Sequence, residues 1–275
     1  MGKGVEKRIV VPIKQVPDMD KVKFNKEEGR IDRSSADTEP NPFDLNALEE
    51  AVKFKEEFGG EIVAISMGPS QADSTLKEAL ARGADEAILL SDKFFGGADT
   101  WATAYTLSIG IKKLGNFDLI LCGEKTVDGD TGQVGPEIAE ILDIPHAAFV
   151  SEVLERNNDS IKVVSDAWGG SYVKKLEFPG VITVTKDVNV PRLPSLKDKM
   201  AARKAEIKLW GLDDFPEVEK DVVGIRGSPT SVNKIEIVPE PKREGKIFRD
   251  DISKSVDKLI GALKEDGVLN EVRLD

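Results

Sequence analysis

The chain has 275 residues, 40% of them hydrophobic and 32% charged, enough to bury one large core and too apolar for disorder. With 50 acidic against 39 basic residues its net charge is -11, which disfavours nucleic acid or an anionic membrane as a main partner, because both need a basic face. One cysteine, Cys122, and one histidine, His146, exclude an internal disulfide, a CxxC redox pair, and an iron–sulfur or Cys/His zinc centre built by this chain alone.

The opening residues, MGKGVEKRIVVPIKQV, are charged ahead of a short strand-like run and show no signal-peptide core. No stretch reaches the ~18 apolar residues of a membrane span, so the cytoplasm is the expected compartment. Four strand–helix units follow. Arg8–Lys14 reads as a buried strand and, after a polar excursion, Asn41–Phe58 as a helix. Asn41 is placed to cap it, Pro42 suits its first position and Asp44 complements its dipole. Glu61–Met67 is the second strand and Ser70–Arg82 its helix, stopped by Gly83; Glu86–Leu90 is the third strand. Asp99–Leu114 is the third helix with Asp99 as cap, and Asp118–Cys122 the fourth strand, leading to a helix over Thr131–Leu142.

Continuous apolar strands alternating with amphipathic helices predict an α/β protein with a doubly wound, mainly parallel sheet. After His146 the pattern changes. Ala147–Glu155, Ser160–Ala167, Tyr172–Phe178 and Val181–Thr185 are spaced by turn residues, which predicts antiparallel strands extending the sheet. Beyond Pro191 come helix-like basic residues (Lys197–Lys208), a proline-interrupted polar stretch, and a short amphipathic helix over Asp250–Lys264. This predicts a nucleotide-binding domain over residues 1–190 and a docking segment with a C-terminal arm over 191–275.

Ligands of such sheets bind at the carboxyl ends of the strands. There the segment Gly123-Glu124-Lys125-Thr126-Val127-Asp128-Gly129-Asp130-Thr131-Gly132-Gln133-Val134-Gly135-Pro136 leaves a strand and enters a helix. Three glycines let backbone approach a ligand, and free N–H groups at a helix start, aided by Thr131 and Gln133, suit a phosphate. On spacing alone the segment is equally a glycine-rich turn holding nothing. It is neither a P-loop nor a GxGxxG fingerprint. Thr100 and Thr103 place two hydroxyls one turn apart at a helix start, where ordinary capping is the plainer reading. Asp128 and Asp130 read as turn formers, Cys122 as a small buried hydrophobe, and His146 as a surface or packing residue. No nucleophile–base–orienter set is present, so no catalytic residue and no metal site is assigned.

Lys14-Gln15-Val16-Pro17-Asp18, Asn41-Pro42-Phe43-Asp44 leading into Ala47-Leu48-Glu49-Glu50-Ala51, Gly68-Pro69, Ala79-Leu80-Ala81-Arg82-Gly83-Ala84-Asp85 and Asp128-Gly129-Asp130-Thr131-Gly132-Gln133-Val134-Gly135-Pro136 resemble the β subunit of electron-transfer flavoprotein. The matches run in order through Pro191-Arg192. The resemblance implies a heterodimer with an α subunit that carries an electron-shuttling FAD. It also implies an adenine nucleotide held in this chain by Pro12, Asn41 to Asp44, Met67 and Gly123 to Val134.

Ordinary members hold AMP here and carry a DDDxNQT-like run. The DGDTGQVGP run resembles the electron-bifurcating members, whose β subunit holds a second FAD, with Thr100 and Thr103 near it. In that branch NADH is the hydride donor. One electron passes to a low-potential acceptor such as ferredoxin or flavodoxin, the other to a high-potential one such as a quinone oxidoreductase or acyl-CoA dehydrogenase. Membrane association would then come only through partner subunits. By position, Leu196 falls where the family presents a leucine anchor to partner proteins. A universal-stress-like nucleotide-binding module, with no redox role, is the rival from another class.

Overall fold

Alternation along each parallel strand sends its apolar residues to two separate cores. In β1 (Arg8–Pro12), Ile9 and Val11 face one layer of helices and Val10 the other. The computed structural model describes residues 7–18, 21, 23–25, 30–32, 37–231 and 245–269. Within the polar excursion, β2 (Gln15–Pro17), β3 (Lys23–Asn25), β4 (Arg30–Asp32) and β5 (Thr38–Pro40) form two short antiparallel pairs, β2 with β5 and β3 with β4. Other parts of that excursion, and most of the proline-interrupted stretch before the last helix, lie outside the described residues.

The central units follow the expected order. They are α1 (Pro42–Phe58), β6 (Glu61–Met67), α2 (Asp73–Ala81), β7 (Glu86–Leu90), α3 (Thr100–Leu114), β8 (Leu119–Gly123) and α4 (Val134–Leu142). Leu48, Ala51 and Phe54 of α1 and Leu76 and Ala79 of α2 cover one face of the sheet, on Ile62, Ala64 and Leu121. Ala104, Leu107 and Ile111 of α3 and Ile138 of α4 cover the other, on Val63, Ile65 and Ile120. Each such fully buried Leu, Ile or Phe contributes about 1.5–3 kcal/mol.

The remainder is β9 (His146–Arg156), β10 (Ser160–Ala167), β11 (Gly170–Glu177), β12 (Gly180–Val184), α5 (Leu196–Lys204), β13 (Lys208–Trp210), a four-residue turn α6 (Gly224–Gly227) and α7 (Ile252–Glu265). The main sheet has nine strands in the order β11-β10-β9-β12-β8-β1-β6-β7-β13. β9, β10 and β11 form the expected antiparallel extension.

The strand expected at Val181–Thr185 is different. β12 lies in the middle of the sheet, parallel to both β8 and β9. All five of its residues are buried, which is what a strand covered on both faces requires. The helix expected to reach Lys208 stops at Lys204, and Lys208–Trp210 pairs parallel with β7 as the far edge strand. With only Ala202 buried, the basic helix has no apolar face to extend it.

Two compact units divide the chain, Met1–Ile235 and Glu236–Asp275. In the second, α7 exposes Ile252, Val256, Leu259 and Ile260. Among the described residues no helix is long and apolar enough to cross a membrane.

Candidate functional site at the switch point

Strand order reverses between β1 and β8: the chain proceeds from β1 to β6 and β7 on one side, then returns to place β8 on the other. This opens a crevice at the carboxyl ends of those two strands. Pro12 and Gly123 end β1 and β8, and Met67 ends β6 on the far side of β1, so three of the expected residues mark adjacent strand ends. Among the described residues, no group of three or more His, Cys, Asp or Glu side chains is placed to hold a metal ion.

The start of α1 grips the glycine-rich loop. Asn41 is fully buried and occupies the cap position, but its side chain does not cap the helix. Instead its Nδ2 donates to the Lys125 carbonyl at 2.9 Å, and its Oδ1 accepts from the Val127 amide at 3.2 Å. The capping role expected of Asn41 therefore gives way to a tie across the crevice, because a buried amide side chain must satisfy donor and acceptor together. Asp44 Oδ2 accepts the Lys14 amide at 2.8 Å, and the Gly123 backbone passes close to its other oxygen. The contact demands glycine: a Cβ on Gly123 would stand 2.4 Å from Asp44 Oδ1 and 2.7 Å from the Phe43 carbonyl carbon. Pro42 stays exposed at the helix's first position.

The loop is shaped by its own aspartates. Asp128 pairs with Lys14 at 2.7 Å and Asp130 with Lys125 at 2.6 Å, so both lysines bordering the loop are engaged by carboxylates. The Gly129 and Asp130 amides close a turn on the Thr126 carbonyl, and the Glu124 amide is held by Val184 O. Asp130 (φ 55°) and Gly132 (φ 67°) are left-handed, which delays α4 to Val134 rather than Thr131. No side chain caps α4. Among the described residues, the Thr131, Gly132, Gln133 and Val134 amides have no hydrogen-bond acceptor. A cluster of uncommitted N–H groups at a helix start can bind an anion without a cationic side chain.

A Cβ on Gly129 would meet only the Thr126 hydroxyl, at 3.1 Å, which would have to turn aside. Thr100 joins the cradle from α3, its Oγ1 lying 3.3 Å from Gln133 Oε1 and 3.1 Å from Glu137 Oε1. Burial holds the Glu137 carboxyl above its ordinary range, with the Thr100 hydroxyl opposing and Asp99 reinforcing. Glu124 is also raised, chiefly by burial. Thr103, one turn further along α3, makes no side-chain hydrogen bond to the loop among the described residues.

The remaining sequence-predicted residues do not line the crevice with polar groups. Cys122 is buried, which pushes its thiol upward, and His146 is exposed at the start of β9. Leu196 begins α5 and is 76% exposed. The stretch before it is anchored by Arg192, whose guanidinium bonds Glu49 at 2.8 Å and Glu56 at 2.6 Å from α1. Sequence reasoning did not assign Lys14 or Phe149 to the site. Lys14 stands in a quoted motif directly after the first strand, where its proximity to Asp128 depends on the strand order. Phe149 carried no sequence signal.

Asp44 sets a pH dependence. Burial pushes its carboxyl up to about 7 from 3.8, against the Lys14 and Gly123 amides, Asn41 and the Lys14 charge. A carboxyl raised in the folded state gives stability that is fully present below about pH 4 and is lost as the pH climbs through about 7. Between pH 5 and 8, Asp44→Asn should therefore gain about 2.5 kcal/mol relative to wild type, measured by urea unfolding at both pH values. An unchanged difference would place the carboxyl near its ordinary range.

Strand order and crevice define a doubly wound α/β protein with a glycine-rich loop and a run of uncommitted amides at its switch point. The family model described as "Electron transfer flavoprotein domain" matches residues 29–215. The chain is 43% identical over 259 residues to the electron transfer flavoprotein subunit beta of Clostridium acetobutylicum, covering 94% of this chain and 98% of that protein. It is 38% identical to the protein FixA of Sinorhizobium fredii, covering 93% and 91% of the two chains. It is also 38% identical to the caffeyl-CoA reductase-Etf complex subunit CarD of Acetobacterium woodii, covering 95% and 100%. The chain belongs to the electron transfer flavoprotein family, among its β subunits.

Proposed function

We propose that this chain holds FAD in the crevice between β1 and β8, as the β subunit of a heterodimer whose α subunit carries a second FAD. When bound, the flavin would supply the redox chemistry, with NADH as hydride donor and a ferredoxin- or flavodoxin-like and a quinone- or acyl-CoA-dehydrogenase-side protein as the two electron acceptors. The observation that carries the reading is the run of unpartnered amides from Thr131 to Val134 beside Gly129, an arrangement that fits a diphosphate. Asn41, Asp44 and Lys14 fix that loop, while Pro12, Met67 and Phe43 border the crevice. Thr100 reaches it from α3.

The deciding experiment is the mass and absorbance of nucleotide released on denaturing the co-purified heterodimer. FAD from both subunits supports the reading; FAD with AMP makes this a non-bifurcating β subunit with a structural nucleotide. Failure of any flavoprotein α subunit to co-purify would overturn the heterodimer reading.

The exposed Leu196, behind the Arg192 anchor, is assigned to partner docking, and the apolar side of α7 to embracing the α subunit. Leu196→Ala should slow electron exchange with partner proteins several-fold and leave bound flavin and Tm unchanged, as truncating an exposed residue does. Loss of flavin instead would make Leu196 a packing residue.

A further inference from the structure

Phe149 is held in a conformation that its residue type disfavours. β9 and β12 pair Ala147 with Ile182 and Val150 with Val184, so Ala148 and Phe149 together oppose the single residue Thr183. In this bulge Phe149 has φ 57°, the left-handed region that a bulky side chain enters only when its surroundings impose it. Two hydroxyls impose it. Thr183 Oγ1 accepts the Phe149 amide at 3.0 Å, and Ser165 Oγ donates to the Ala148 carbonyl at 2.6 Å. Thr183 is itself wedged beneath the first turn of α4, where a Cβ on Gly135 would come within 2.3 Å of its methyl group.

The bulge turns the ring out of the sheet. Phe149 is 41% exposed, whereas its neighbours Ala147 and Val150 are buried in the core. A Cβ on Gly132 would meet Phe149 Cε1 at 3.7 Å and Cζ at 3.8 Å, so the ring faces the left-handed glycine within the run of unpartnered amides. A core would be better served by an inward aromatic in an unstrained strand. The strain instead places a rigid ring against the glycine turn.

Resting on the proposed nucleotide reading, we propose that Phe149 is a positioning residue. Its ring supports the Asp130–Gly132 turn and keeps the amides of residues 131–134 aimed at the ligand's phosphates.

The test uses the full-length chain stripped of nucleotide and titrated with AMP and with FAD. Asn tolerates the left-handed backbone but has no ring, and Tyr restores the ring. Phe149→Asn should weaken both probes about tenfold, which is about 1.4 kcal/mol. Its ligand-free Tm should stay within about 3 °C of wild type, since relief of the backbone offsets the lost contact. Phe149→Tyr should bind as wild type does. Wild-type binding by Phe149→Asn, a Tm loss that accounts for the weaker binding, or failure of Tyr to restore it would each overturn the assignment. A wild-type chain that binds neither probe would remove the nucleotide reading and this inference with it.

Discussion

Gly129→Asp should empty the cradle of this chain and leave its fold intact. Two observations separate the effects. Gly129 is not left-handed, and a Cβ there would meet only the rotatable Thr126 hydroxyl, so the substitution is sterically light. Its carboxylate would nevertheless sit on the turn that precedes the uncommitted amides, with Lys14 and Lys125 already engaged by Asp128 and Asp130. Like charges about 5 Å apart near a protein surface repel by about 3 kcal/mol, roughly a hundredfold in affinity. FAD per heterodimer after gel filtration should fall towards the α-held flavin alone, and NADH-dependent bleaching should fall with it. A variant that retains full FAD and full bleaching would show that no phosphate lies against Gly129.

The second large effect is expected at Asn41. Alanine there leaves the Lys125 carbonyl and the Val127 amide without their buried partner and unties α1 from the loop. Each orphaned part-buried group costs about 1–3 kcal/mol, so a loss of about 2–6 kcal/mol is expected, shared between global stability and nucleotide affinity. Asn41→Asp separates the two ties. It still accepts from Val127 but faces the Lys125 carbonyl with a buried charge, so it should be no better than alanine at neutral pH. Urea unfolding of the ligand-free chain, with FAD titration of the same samples, measures both parts. If Asn41→Ala unfolds like wild type and Asn41→Asp is fully functional, the tie has no energetic role.

Taken alone, the sequence was sufficient for much of this. Alternating apolar runs such as RIVVP and EIVAISM, separated by capped helices, specify strands covered on both faces, because only that arrangement buries every residue of the run. Asp99 was legible as the α3 cap, and its carboxylate does accept the Ala102 amide, since capping depends on residues three apart. The glycine loop was legible as a strand-to-helix turn for the same local reason.

Contacts between distant segments were not legible. Val181–Thr185 was expected on the antiparallel flank because hairpin signals are local, whereas its insertion beside β8 depends on which strand completes the central core. Lys208–Trp210, three residues without a strong pattern, joins the sheet only because β7 offers an open edge. Asn41 had the chemistry of a cap, and its position did suit one. Only the tertiary structure decided that its amide would span 84 residues of sequence to hold Lys125, because the switch point brings the end of β8 beside the start of α1.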